Sequence, residues 1–287
     1  MPGMVHELTA EVLVPAGATL GEGPAWDTAA GCLAWVDILG QRVHLTEADG
    51  TTRASFELDR HVGAVLPGSP EYLVVRRDGF ATLDPVTGAV TPLLTVLADR
   101  PDLRFNDAKA GPGGRVFAGT MSYDESATGQ GELLRLDPGP VATRVHGPVS
   151  LSNGIGWSPD GRLMYYVDSL AKAVTVFDYD VDAATPANPR TLTKIDAGFP
   201  DGLCVDDDGC VWLALYDGWA VHRYTPAGRL DAVIRLPVAN VTSCAFGPGG
   251  RLYITTARRV GGDQPLAGGL FVAEPGVTGP PAVPWVG

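Results

Sequence analysis

Short apolar stretches recur along the chain, each followed by a turn rich in Gly, Pro or Asp and then by an alternating segment. The pattern is clearest in five segments: Glu22-GPAWDTAAGCLAWVD, Asn106-DAKAGPGGRVFAGT, Asn153-GIGWSPDGRLMYYVD, Asp201-GLCVDDDGCVWLALY and Thr242-SCAFGPGGRLYITTA. A sixth, weaker copy starts at His61. Each opens with a polar residue, runs through a few apolar positions, turns and re-enters a strand. The apolar start suits a strand buried on both faces, and the later alternation suits a half-buried one. The turns fall near Gly31, Ser69, Gly114, Gly161, Gly209 and Gly250, at intervals of 38 to 48 residues. A period of about 40–50 residues with several short strands per period predicts a β-propeller with one four-stranded blade per repeat. Six copies predict six blades. A sandwich also has frequent turns, but it would not place a polar residue eight or nine positions before a turn in one repeat after another. The alternating residues 6–14 have no repeat before them and are expected to form an outer strand that closes the last blade and removes an open edge. No composition shift marks a boundary, so residues 1–287 read as one all-β propeller domain.

Composition supports this picture. The 287 residues include 37 Gly and 24 Pro, about a fifth of the chain, which is incompatible with a long helical bundle. Hydrophobic residues at 45% exclude disorder as the main state. Charge then restricts the partners. The formal net charge is −12, and no basic run is present. Such a surface disfavours nucleic acid and anionic membranes, leaving a small molecule as the expected partner and a monomer or weak homo-oligomer as the expected state. The N-terminal residues lack the basic start and apolar run of a signal peptide. Cys32, Cys204, Cys210 and Cys244 form no CxxC pair and are expected as buried free thiols, consistent with a cytoplasmic location.

A propeller converts equivalent sequence positions into a ring around one axis. Glu22, Asn106, Asn153 and Asp201 are therefore expected to face the central channel at similar height. The small residue that follows each one, or nearly follows it, would let the chain turn into the inner strand. Two carboxylates and two amides in a narrow channel call for compensation, because like charges repel strongly in low dielectric. Their oxygens suit a divalent cation such as Ca²⁺, Mg²⁺, Mn²⁺ or Zn²⁺. Three protein ligands would leave coordination positions open to water and substrate.

Other motifs carry less. There is neither a G-x-S-x-G elbow nor a GK[ST] loop. Asp178, Asp180 and Asp182 begin like a calcium loop, but Ala183 and Pro189 occupy positions that such a loop needs for Gly and Glu, so a hairpin turn is expected. Asp206, Asp207 and Asp208 read as a turn with exposed carboxylates. The histidines show no ligand spacing, although His61 is placed to reach the channel mouth. Trp26, Trp157 and Trp212 are expected to pack between blades.

The segments GEGPAWD, RFNDAKAGPGGRVFAGTM, LSNGIGWSPDGRLMYYVDS and FPDGLCVDDDGCVWLALYDG resemble the signature segments of the senescence marker protein/gluconolactonase/luciferin-regenerating enzyme family, which includes regucalcin. The resemblance runs from about residue 15 to 274 and keeps the spacing between segments. It implies a six-bladed propeller with one divalent metal in the channel and, in many members, hydrolysis of sugar lactones. Carried over by motif, it implies Glu22, Asn153 and Asp201 as metal ligands, and Arg104 and Asn106 as groups that bind substrate oxygens. Asp124 stands where relatives often carry an acidic residue that contacts the sugar. Lactone hydrolysis passes through an oxyanion, which a metal would stabilise. Asp201 is the candidate general base toward water. Arg104 offers a fixed charge and a forked donor to a polyhydroxylated substrate. Phosphoester or non-sugar lactone hydrolysis on the same scaffold, and calcium binding without catalysis, are the competing functions.

Overall fold

In the computed structural model, which describes residues 5–124, 126–258 and 264–287, the chain forms six antiparallel blades in sequence order. The first strands of the blades are Gly21–Asp27, Val62–Leu66, Leu103–Ala110, Ser152–Trp157, Phe199–Val205 and Val241–Phe246. Each packs against the first strand of the next blade, and Val241–Phe246 packs against Gly21–Asp27, closing the ring. The first strands therefore surround the axis, as the repeat predicts, and the polar residues that open the repeats lie in the first half of an inner strand or, for His61, just before it.

Six apolar clusters hold the blades, one at each seam. Between blades 1 and 2, Val36, Ile38 and Val43 meet Val62, Val74 and Ala81. Between blades 5 and 6, Trp212 and Ile234 meet Phe246 and Phe271. Blades 6 and 1 join through Trp26 and Trp35 against Tyr253 and Leu270, with the Trp26 and Tyr253 rings stacked at 5.7 Å. Trp157 sits at the seam of blades 3 and 4 against Phe117 and Tyr179. These sites account for all three tryptophans expected between blades. The cysteines are free thiols, and Cys204 and Cys244 touch across the blade 5–6 seam at 3.6 Å.

The N-terminus is more divided than a single closing strand. Glu11–Val14 does close the last blade, antiparallel to Leu270–Ala273. His6–Thr9 instead runs parallel to Leu230–Arg235 and becomes a fifth strand of blade 5. Ala10 marks the crossing, where its amide donates to the Arg235 carbonyl at 3.0 Å. The N-terminus thus ties two neighbouring blades together and covers the edge of both, which a single strand on one blade would not do.

The aspartate run in blade 5 also departs from expectation. Asp207 and Asp208 are exposed, but Asp206 is fully buried. Its carboxylate accepts from the amides of Asp208 and Cys210 at 3.0 and 2.8 Å, from Trp212 Nε1 at 2.9 Å and from Arg223 Nε at 2.8 Å. Arg223 in turn reaches Asp208 and Asp231. Composition marks this run as a turn, and it is one; the burial arises because Arg223 and Trp212 on the following strands close over the first aspartate. Removing Asp206 leaves the buried Cys210 amide and Trp212 Nε1 without an acceptor, although Arg223 keeps Asp208 and Asp231. Asp206→Ala is therefore expected to destabilise the fold by about 3–5 kcal/mol, read as a lower urea midpoint with an unchanged slope. A loss of less than about 1 kcal/mol would show that Asp206 does not anchor the blade.

No helix among the described residues is long and apolar enough to cross a membrane.

Candidate active site on the propeller axis

A local device aims the polar residues inward. In every blade the pairing of the first two strands shifts register at the equivalent place: between Glu22 and Ala25, Val62 and Ala64, Phe105 and Ala108, Ser152 and Ile155, Pro200 and Leu203, and Val241 and Ser243. A bulge of this kind bends the strand and re-aims side chains. In blades 1, 3, 4 and 5 the irregular stretch holds or starts at Glu22, Asn106, Asn153 and Asp201. The glycines beside these residues have two different reasons. Gly23 has φ +54° and serves the turn. Gly154 and Gly202 serve close approach, because a Cβ at Gly154 would lie 2.6 Å from the Asp201 carbonyl and one at Gly202 would collide with Ser243 Oγ.

Glu22, Arg104, Asn106, Asn153 and Asp201 are all buried and are brought together on the axis. Arg104 Nη1 donates to Asn106 Oδ1 at 2.6 Å. Asn106 Nδ2 donates to the Ser152 carbonyl and to Asn153 Oδ1, each at 2.8 Å. Asn153 Nδ2 donates to Ser169 Oγ at 2.7 Å, and Ser169 Oγ donates to the Pro200 carbonyl at 2.7 Å. One hydrogen-bonded line thus crosses blades 3, 4 and 5 and ends beside Asp201. Both amide protons of Asn106 are engaged, so toward a substrate this side chain can only accept.

The carboxyls are strongly perturbed. Burial, reinforced by the Asp107 charge, pushes Glu22 up from its ordinary 4.5 to about 8. Burial, then Glu22 and Asp107, raise Asp201 well above the usual range. Asp107 is itself buried and raised, chiefly by desolvation. It is the group that sequence reasoning missed. Strict alternation would send Asp107 to the face opposite Asn106; the bulge between Phe105 and Ala108 breaks that alternation, and Asp107 lies near enough to act on both Glu22 and Asp201. The partial countercharges are Arg104 and Lys109, the latter with Nζ 2.6 Å from the Leu203 carbonyl. A cavity of about 560 Å³ is lined by residues that follow the ring positions in the inner strands, Asp107, Lys109 and Cys204 among them.

Asp124 stands apart. Its carboxylate is exposed and accepts from Ser126 N at 3.0 Å and Ser126 Oγ at 2.6 Å, an arrangement that holds it within its own loop. His61 lies on the rim, with Nδ1 3.1 Å from the Tyr123 hydroxyl.

The residues on the axis fit a cation on two counts. Asp201 Oδ1 is buried with no hydrogen-bond partner, a costly state for a carboxylate oxygen unless something positive faces it. The donor set of Glu22, Asp201 and the Asn153 amide consists of oxygens, which hard divalent cations prefer. No group of three His, Cys, Asp or Glu side chains among the described residues is arranged to hold a metal; the ring differs in taking its third oxygen from an amide.

Fold and ring together define a six-bladed propeller with a buried polar cluster on its own axis. The chain belongs to the SMP-30/gluconolactonase/LRE-like family, whose conserved region matches residues 20–258. It is 37% identical to regucalcin of Danio rerio, over 99% of this chain and 100% of that one. It is 35% identical to a Bacillus subtilis (strain 168) protein provisionally named sugar lactone lactonase YvrE, over 94% and 96% of the two chains. Among solved structures, a calcium-binding protein, regucalcin, from Agrobacterium tumefaciens superposes with a TM-score of 0.93 at 28% identity, covering 99% of both chains.

The raised Glu22 carboxyl has a definite consequence for stability. In the unfolded chain Glu22 loses its proton near pH 4.5, whereas in the metal-free fold it keeps it to about 8. The fold therefore binds the extra proton between these values, and stability falls as pH rises through the window. In EDTA, the Tm of the wild type should decline more between pH 5.5 and 8 than that of Glu22→Gln, and a divalent cation should restore most of the difference at pH 8. Parallel declines for the two proteins would show that Glu22 does not carry this charge.

Proposed function

We propose that the protein hydrolyses a sugar lactone to the corresponding aldonic acid, with a divalent cation held by Glu22, Asn153 and Asp201. The observation that carries this reading is the unpartnered, buried Oδ1 of Asp201 beside a second raised carboxyl, in a chain whose family name includes gluconolactonase. When bound, the cation would supply Lewis-acid polarisation of the lactone carbonyl and lower the pKa of coordinated water.

The protein's own residues do the rest. Asp201 is the general base: it takes a proton from the attacking water as the oxygen adds to the carbonyl carbon, and the proton passes to the ring oxygen as the ring C–O bond breaks. Arg104, held beside Asn106, orients the sugar by donating to its hydroxyls. Asn106 accepts from a hydroxyl through the remaining lone pair of Oδ1. Burial of the ring limits competing water. Asp124 would contact the sugar only after leaving Ser126. The four free thiols fit a reducing, cytoplasmic setting.

The similarity to a calcium-binding regucalcin favours one second reading, calcium binding without catalysis. A panel of sugar and non-sugar lactones followed by pH-stat separates the two, with chelation and add-back of Ca²⁺, Mg²⁺, Mn²⁺ and Zn²⁺. Turnover should vanish on chelation and return with metal. Asp201→Ala should lower kcat/KM by about a thousand-fold or more. If Asp201→Ala turns over at the wild-type rate with metal bound, Asp201 is not the base; if no lactone is opened while Ca²⁺ binds, the non-catalytic reading stands.

A further inference from the structure

We infer that Ser169 is the positioning residue that decides which end of the Asn153 amide faces the axial ring, and that it ties Asn153 to the Pro200 carbonyl next to Asp201. The inference rests on the cation reading of the ring proposed above.

The oxygen and the NH₂ of an asparagine amide have almost the same shape, yet a cation takes only the oxygen. A half-turn of the Asn153 amide would put two N–H donors where the ring needs an acceptor. Packing cannot tell the two orientations apart, so the hydrogen-bond partners must. At one end of the line stands Arg104, which has donors and no acceptor. Its contact with Asn106 Oδ1 at 2.6 Å forces Asn106 to present NH₂ to Asn153. At the other end stands Ser169, a residue that no proposed catalytic step uses. Its single hydroxyl proton lies toward the Pro200 carbonyl at 2.7 Å. Ser169 Oγ can then only accept, and it accepts from Asn153 Nδ2 at 2.7 Å. Both ends thus prescribe the same orientation, and Asn153 Oδ1 keeps a lone pair beyond the one that Asn106 occupies.

Ser169 itself is fixed. It is 3% exposed. Its amide donates to the Leu151 carbonyl at 3.0 Å. The preceding Asp168 accepts from the amides of Ser150, Leu151 and Leu170 at 2.8, 3.1 and 3.3 Å. These bonds pin the short turn Ser169–Ala171 over the start of its own inner strand. Because Pro200 is the neighbour of Asp201, one hydroxyl links two ring residues from adjacent blades. Outer partners of this kind typically change metal affinity by 10–100-fold when removed.

The test is calorimetric titration of the metal-free full-length protein with Ca²⁺ and with Mn²⁺, using wild type, Ser169→Ala, Asn153→Asp and the double variant. Ser169→Ala should weaken binding by about tenfold or more, with the Tm in EDTA within a few degrees of wild type. In the Asn153→Asp background the same change should cost less than about threefold, because a carboxylate presents oxygen whichever way it turns. An equal loss in both backgrounds, or no loss in either, overturns the inference, since a merely structural serine would act alike in both. Should Ser169→Ala fail to fold, Ser169→Cys, whose thiol is a weaker donor and acceptor, makes the same comparison. A wild type that takes up neither cation would overturn the ring reading itself, a result distinct from retained binding in Ser169→Ala.

Discussion

Buried like charge on the axis is the constraint around which the rest of this protein is arranged. Glu22, Asp107 and Asp201 lie within electrostatic reach of one another in a desolvated channel, and all three hold their protons more tightly than usual. A fold tolerates this only if the surrounding structure over-determines it. Here the surrounding structure is six apolar seams, each gripping the neighbouring blade, so that no inner strand can retreat from the axis without opening two seams. The energy that holds the carboxyls in place is dispersed over the seams, while the cost is concentrated at the axis. A cation is the simplest agent that would relieve that cost.

Within the ring, directionality matters as much as position. The line from Arg104 through Asn106, Asn153 and Ser169 to the Pro200 carbonyl runs one way, donor to acceptor, over three blades. Its two ends have no freedom, and the two amides between them inherit their orientation. Asn106 gains a supporting role that its residue type does not announce: with both amide protons engaged, it orients Asn153. Pre-organisation of this kind removes the need to reorder polar groups when ligand arrives.

The periphery solves a different problem. Blade 5 is anchored by Asp206, which is buried against Arg223 and Trp212, and its outer edge is covered by His6–Thr9, while Glu11–Val14 covers blade 6. The ring residue Asp201 belongs to this doubly secured blade, and its neighbours on either side carry Asn153 and the closing strand. Rigidity at the rim is thereby passed to the site through strands rather than through loops.

Sequence alone determined the number of blades and four of the residues that meet on the axis, because a propeller turns a sequence period into a spatial circle and Glu22, Asn106, Asn153 and Asp201 recur in phase. It also placed Trp26, Trp157 and Trp212 at seams, since large apolar side chains at the repeat's inner positions have nowhere else to go. What only the tertiary structure decided depends on contacts between residues far apart in the chain. The bulge that turns Asp107 inward arises from pairing with the second strand. The burial of Asp206 depends on Arg223 closing over it. The division of the N-terminus between two blades follows from which edges are open once the ring has closed. The partner of Asn153 is a serine in the turn that follows the second strand of the same blade, brought near by the pairing of Ser152 with Asp168. Asp124 shows the converse: its residue type suits a sugar contact, but its loop turns the carboxylate to Ser126. Periodicity reports what repeats; the bulge recurs in every blade, but the side chains that meet through it, and the other contacts named here, do not.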